Sequence, residues 1–98
     1  GLDISNRVGT PIRAPADGKV TFSGYDGAYG VCVTIDHGNG LMTRYAHLNK
    51  AAVKNGDEVL RGEVIGALGN TGRSTGPHLH YEVHVNGIPV NPMRYILN

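Results

Sequence analysis

The sequence of 98 residues carries 9 Lys and Arg against 8 Asp and Glu, enough chain for one domain with a modest core and too even a charge for composition to suggest nucleic acid or an anionic membrane as partner. No apolar run is long enough to span a bilayer, and a single cysteine, Cys32, excludes an internal disulfide. With 15 glycines, 5 tyrosines and no tryptophan, the composition is that of a turn-rich β protein. The chain opens on Gly1 without a signal-peptide pattern, so it is read as a monomeric domain cut from a longer protein.

Leu2-Asp3-Ile4 reads as a short strand in which Asp3 faces away from its apolar neighbours, followed by a turn region from Asn6 to Pro11. A carboxylate so placed is ordinarily part of a solvated face. Pro15-Ala16-Asp17-Gly18 is a turn, Lys19 to Ser23 is the next strand, and Tyr25 to Gly30 is a glycine-rich loop. Val31 to Asp36 and Leu41 to Leu48, joined by His37-Gly38-Asn39-Gly40, predict a hairpin. On its first strand Val31, Val33 and Ile35 share a face with Cys32 opposite. On its second, Leu41, Thr43, Tyr45 and His47 share a face, with His47 at the strand end, where it can lean into a site. His37 reads as a solvated loop residue and Cys32 as a core residue.

Ala51 to Leu68 holds short strands around Val59 and Val64-Ile65, separated by glycines; Gly9 to Gly18 and Gly56 to Gly62 share a faint pattern that fits two copies of one β unit. The polar run Gly69 to Gly76 lacks the Gly-Lys-Ser/Thr ending of a phosphate-binding loop and leads into a strand; its glycines suit a backbone passing close to a site. Val85-Asn86-Gly87-Ile88 is a second hairpin turn. Asn91 and Pro92 predict the N-cap and first residue of a short helix that packs Met93, Ile96 and Leu97 on the sheet. The pattern as a whole is all-β, a domain of many short strands that ends in a short helical turn.

The stretch Gly76-Pro77-His78-Leu79-His80-Tyr81-Glu82-Val83-His84 carries the chemistry. As a strand it projects His78 and His80 side by side on one face. A catalytic zinc takes three protein nitrogen or oxygen donors and leaves one position for water, whose pKa falls to about 7. Asp3 and His80 suit the ligand role; His47 and His78 suit proton transfer and stabilisation of the oxyanion formed when a peptide carbonyl is attacked. Glu82 reads as a solvated position on the sheet, with a hydrogen bond to a site histidine as the alternative; His84 reads as a surface histidine, too far along the strand from His80 to share its ion.

These residues resemble the catalytic domain of the LytM/lysostaphin-like zinc endopeptidases, which cut peptide bonds in peptidoglycan. The likeness runs through Gly1-Leu2-Asp3-Ile4, Gly9-Thr10-Pro11-Ile12, Ala14-Pro15-Ala16-Asp17-Gly18, Tyr45-Ala46-His47-Leu48, Gly56-Asp57 and the continuous run from Gly69 to Glu82. It implies an all-β fold, an antiparallel, sandwich-like sheet domain of the duplicated hybrid type, with a groove and one Zn2+ at its floor, held by Asp3 and His80. It implies His47 and His78 as the catalytic pair, with His78 the general base, and Tyr45 at the groove border. It implies a peptidoglycan peptide as substrate and a parent protein working in the periplasm, cell envelope or outside the cell. Glycine bridges and stem-peptide cross-links are both cut within the family. The family's first ligand is a histidine four residues before the aspartate, which falls two residues upstream of Gly1. With two ligands only, this chain is expected to bind zinc weakly and hydrolyse poorly.

Two other readings compete. One is a non-catalytic module of the same fold that binds wall peptides or activates another hydrolase. The other is a biotinyl- or lipoyl-type carrier, suggested by Ala14-Pro15-Ala16-Asp17-Gly18-Lys19-Val20 and Val53-Lys54-Asn55-Gly56-Asp57-Glu58-Val59. The hairpin tip His37-Gly38-Asn39-Gly40 lacks the lysine such a carrier needs.

Overall fold

The computed structural model describes residues 2–74 and 76–92. Nine strands follow in order: β1 (Leu2–Ser5), β2 (Pro11–Arg13), β3 (Gly18–Tyr25), β4 (Val31–Gly38), β5 (Leu41–Ala51), β6 (Glu58–Val59), β7 (Val64–Leu68), β8 (His78–Val85) and β9 (Ile88–Val90). A 3-10 turn, Gly27–Tyr29, lies between β3 and β4. Every pairing is antiparallel. The main path runs β1-β8-β5-β4-β3-β6. The long β5 also pairs through its second half with β7, which pairs β2, and this small second layer folds over one face of the main sheet.

Both expected hairpins form, and their turns explain why. Asn39 and Gly40 have φ of +53° and +79°, and Asn86 and Gly87 have +51° and +79°, the left-handed pairs that match the twist of a two-residue hairpin loop. The short C-terminal helix expected after Asn91 lies outside the described residues.

The core lies between the two layers. Val20, Val33, Ile35, Leu79, Tyr81 and Val83 from the main sheet meet Ile12, Ala14, Ile65 and Leu68 from the β2–β7 side. An open cavity of about 450 Å³ remains between them, against Ile12, Tyr45, Leu79 and Tyr81; no histidine lines it. Strand β4 is buried on both faces, since Cys32 is fully covered along with Val33 and Ile35. Cys32 is therefore a core residue, and burial pushes its thiol pKa up.

His37 departs from the solvated-loop expectation. It closes β4 rather than sitting in the turn: one ring nitrogen contacts the Asp17 carbonyl at 2.8 Å and the other the Thr43 hydroxyl at 2.7 Å. It cross-links the turn before β3 to β5.

Candidate active site

Strand β8 has two faces. Leu79, Tyr81 and Val83 point into the core, each 5% exposed or less. His78, His80, Glu82 and His84 point the other way, half-buried. Register brings partners to the polar face: Asp3 of β1 lies directly opposite His80, and on the other side Ala46 of β5 does the same. Directly opposed residues share a face, so the Asp3 carboxylate and the His80 ring meet, Oδ1 to Nδ1, at 2.9 Å. Nε2 of His78 is 3.7 Å from the same oxygen.

His47 joins them by a different route. Tyr45 is opposite Tyr81 on the core side, so simple alternation would send His47 to the core as well. Instead β5 gains a residue against β4: Val33 pairs Tyr45 but Val31 pairs Leu48. Within this bulge His47 takes φ of +62°, and its ring turns onto the site face. Its centroid is 4.9 Å from that of His78 and 6.2 Å from that of His80. Tyr45 stays behind with the core, 2% exposed, donating its hydroxyl to Thr43 Oγ1 at 2.8 Å, so it does not border the groove as expected. Burial raises its pKa far above the ordinary tyrosine value. The aromatic beside the histidines is Tyr29, from the 3-10 turn.

Each ring is held by its outward nitrogen. A carbonyl can only accept, so Nδ1–H of His47 donates to Thr71 O at 2.7 Å, and Nδ1–H of His78 donates to Gly76 O at 2.7 Å. Ser74 Oγ lies 3.1 Å from the same His78 nitrogen and itself donates to Gly76 O. In the neutral rings this leaves Nε2 of both His47 and His78 with a lone pair.

His80 is held through Nε2, which donates to Glu82 Oε2 at 2.7 Å. Glu82 is far from the solvated position expected of it, with a side chain only 16% exposed. Its Oε1 meets Arg44 Nη1 at 3.3 Å and His84 Nε2 at 3.0 Å, and Tyr29 donates its hydroxyl to Oε2 at 3.3 Å. His84 is thus a member of this network and not a bare surface residue. Burial alone would push the Glu82 pKa up, but hydrogen bonds from His84 and His80 and the Arg44 charge outweigh it and hold the value at about 2. Arg44 also stacks on Tyr29, its guanidinium carbon 4.9 Å from the ring centre.

The donor set tests whether zinc fits. With Nε2–H committed to Glu82, Nδ1 of His80 faces the Asp3 oxygen at hydrogen-bond distance, and that carboxylate is itself held below its ordinary pKa by its bond to His80. A lone pair and a carboxylate oxygen aimed at one another need a proton or a cation between them. Two ligands at about 2.0–2.1 Å on a tetrahedral centre stand about 3.3 Å apart, close to what Asp3 and His80 present. A histidine ligand whose second nitrogen donates to a carboxylate is also the usual outer support of a zinc site. Asp3 and His80 therefore fit zinc as two of its ligands. No group of three or more His, Cys, Asp and Glu among the described residues is arranged to complete the set.

Tyr29 and Arg44 were not singled out in the sequence, and Thr71 and Ser74 entered only as members of the run from Gly69 to Glu82, with no role of their own. Arg44 had one indirect signal, because a hairpin register that pairs it with Glu82 would have put opposite charges side by side.

The chain is similar to proteins of one kind. It is 51% identical over 94 residues to the peptidoglycan DD-endopeptidase ShyA of Vibrio cholerae, a match covering 96% of this chain and 22% of that protein. Among solved structures it superposes on the catalytic domain of the antimicrobial peptidase lysostaphin from Staphylococcus simulans with a TM-score of 0.91 at 36% identity, over 97% of this chain and 76% of that one. A zinc containing peptidase from Vibrio cholerae gives a TM-score of 0.93 at 42% identity, over 100% of this chain and 30% of that one. The chain spans about a fifth of the length of the curated relatives it matches. Its residues 1–92 match the pattern of peptidase family M23, and the chain belongs to that family.

Proposed function

We propose that residues 1–98 form a single catalytic domain of a zinc-dependent endopeptidase that hydrolyses peptide bonds in bacterial peptidoglycan. One observation carries this reading: a carboxylate and three imidazoles from three strands face one another, with Nε2 of His47 and of His78 making no hydrogen bond to a described residue and that of His78 3.7 Å from the Asp3 oxygen. In this reading Asp3 and His80 hold the metal, and zinc, when bound, makes water a nucleophile at neutral pH by drawing its pKa to about 7. His78 is the general base: with Nδ1–H fixed on Gly76, its Nε2 takes the proton of the attacking water and hands it to the leaving amine. His47, fixed by Nδ1–H on Thr71, donates from Nε2 to the developing oxyanion once it carries a second proton. The polypeptide that supplies such a domain works at the cell wall, in the periplasm or outside the cell, as one part of a larger protein. The names of the Vibrio endopeptidase and zinc peptidase support substrate and metal alike.

A wall-binding or hydrolase-activating module of the same fold is the competing reading. One experiment separates the two. Purified peptidoglycan is digested with this chain and with a version carrying a histidine four residues ahead of Asp3, each with and without a chelator, and the fragments are weighed by mass spectrometry. The expected result is chelator-sensitive release of cut cross-links by the extended version and little by the shorter one. Cleavage indifferent to chelator sinks the metal mechanism, and binding without cleavage by the extended version favours the module.

A further inference from the structure

A cavity of about 230 Å³ opens beside the site histidines, lined by Ala28, Tyr29, His47, Arg73 and His80. Two arginines come near this region and they differ in kind. Arg44 is committed to Glu82 and the Tyr29 ring. Arg73 is exposed and makes no side-chain hydrogen bond or ion pair with a described residue.

The backbone beneath Arg73 is nonetheless fixed. Its N–H donates to Ala28 O at 2.9 Å. Gly72 and Gly30, with φ of +70° and +67°, pass so closely that a Cβ on either would collide with the backbone of the other's loop. Thr71 Oγ1 accepts from Val31 N–H at 3.0 Å and donates to Leu48 O at 2.6 Å. The loop is thereby clamped to the 3-10 turn and to β5, and Tyr29 and Arg73 are presented from its two sides onto one cavity.

We propose that Arg73 is a specificity-determining residue that binds a free carboxylate of the substrate peptide close to the bond that is cut. A guanidinium only donates, and its planar fork matches a carboxylate two bonds at a time. A glycine bridge offers this fork neutral carbonyls alone; a cross-link between stem peptides that bears a carboxylate offers it a charged partner. The substrate class is therefore an acidic peptide cross-link. The assignment rests on the peptidoglycan endopeptidase reading for its substrate, though the carboxylate preference can be measured without turnover.

The test uses two synthetic cross-linked peptide dimers, identical except that the group beside the cross-link is a carboxylate in one and a carboxamide in the other. Binding is measured by calorimetry on chelator-treated protein, in which nothing is cut, and turnover on the zinc-loaded version that carries a histidine four residues ahead of Asp3. The native chain is expected to favour the carboxylate dimer by about 10- to 100-fold, the size of a charge-assisted hydrogen-bonded pair. Arg73→Gln should bring that ratio close to one, and Arg73→Lys should leave it between the two, since a lysine keeps the charge and loses the fork. A native ratio near one overturns the proposal, and so does a preference that survives in Arg73→Gln. The endopeptidase reading fails separately, if the zinc-loaded version with the upstream histidine cuts neither dimer while the binding ratios stand as expected.

Discussion

The two faces of β8 are built from alternate residues of one strand, yet they are stabilised in different ways. Leu79, Tyr81 and Val83 are buried against apolar neighbours from both layers, and their contribution scales with the area taken from water. His78, His80, Glu82 and His84 gain little from burial and are fixed by directional bonds, some to near neighbours, as His78 to Gly76 and His84 to Glu82, and some across the sheet, as His80 to Asp3 and Glu82 to Arg44. The core face tolerates shape-conserving exchange, because the attraction has no direction. The site face does not, because a ring nitrogen that loses its partner changes tautomer or orientation. The strand thus supplies stability on one side and chemistry on the other, and substitutions should separate the two.

The largest separation is expected at the histidines. In a version carrying the upstream histidine, His78→Ala should lower kcat by about 10²- to 10⁴-fold, the usual contribution of a general base, while keeping its zinc. His80→Ala should lose the zinc itself. Metal content by elemental analysis, read beside kcat, distinguishes them; a His78→Ala protein that loses zinc in step with activity would exchange the two roles. Neither change should cost the fold much, since both rings are already part-exposed.

Leu79→Ala tests the other face. Removing a side chain 5% exposed should destabilise the chain by about 2–5 kcal/mol in chemical denaturation. The position adjoins the open cavity of about 450 Å³, so the neighbours have poor means of closing the gap. A loss below about 1 kcal/mol would mean that this part of the core face is less tightly packed than its burial indicates.

A smaller effect belongs to Glu82. Glu82→Gln keeps the size and one acceptor oxygen but removes the charge that holds the proton on Nε2 of His80. Outer-shell changes of this kind typically weaken metal binding by about 10- to 100-fold, and competition with a chelating dye reads it directly. An unchanged affinity would reduce the Arg44–Glu82–Tyr29 group to packing.

What could be read from the sequence follows the same division. Local rules reached the hairpins at Asn39-Gly40 and Asn86-Gly87, the strand that sets His78 beside His80, and the burial of Cys32, because each depends on residues a few positions apart. Glu82 and His37 differ from the solvated expectation because Arg44, Asp17 and Thr43, which hold them, are set by strand pairing and loop placement; His84 follows Glu82, its bonding partner two residues back on the same strand. A strand pattern tells which face a residue is on. It does not tell what stands opposite until the register is known.

His47 is the sharpest instance, since the strand period itself misled. Counting by twos groups it with Thr43 and Tyr45, which lie on the core side; the bulge and the left-handed backbone at His47 carry it across to His78. That conformation costs a residue with a Cβ about 1–2 kcal/mol, and glycine almost nothing. His47→Ala and His47→Gly both remove the imidazole and its bond to Thr71, so they should be equally inactive. They should differ in stability, with the glycine variant the more stable by about 1 kcal/mol and a melting point a few degrees higher. In a regular strand the order is reversed, because glycine there weakens the element. A melting comparison that favours alanine would show that the backbone at position 47 relaxes into the ordinary strand region once the ring is gone, and that the ring's bond to Thr71, not the bulge, brings this residue to the site.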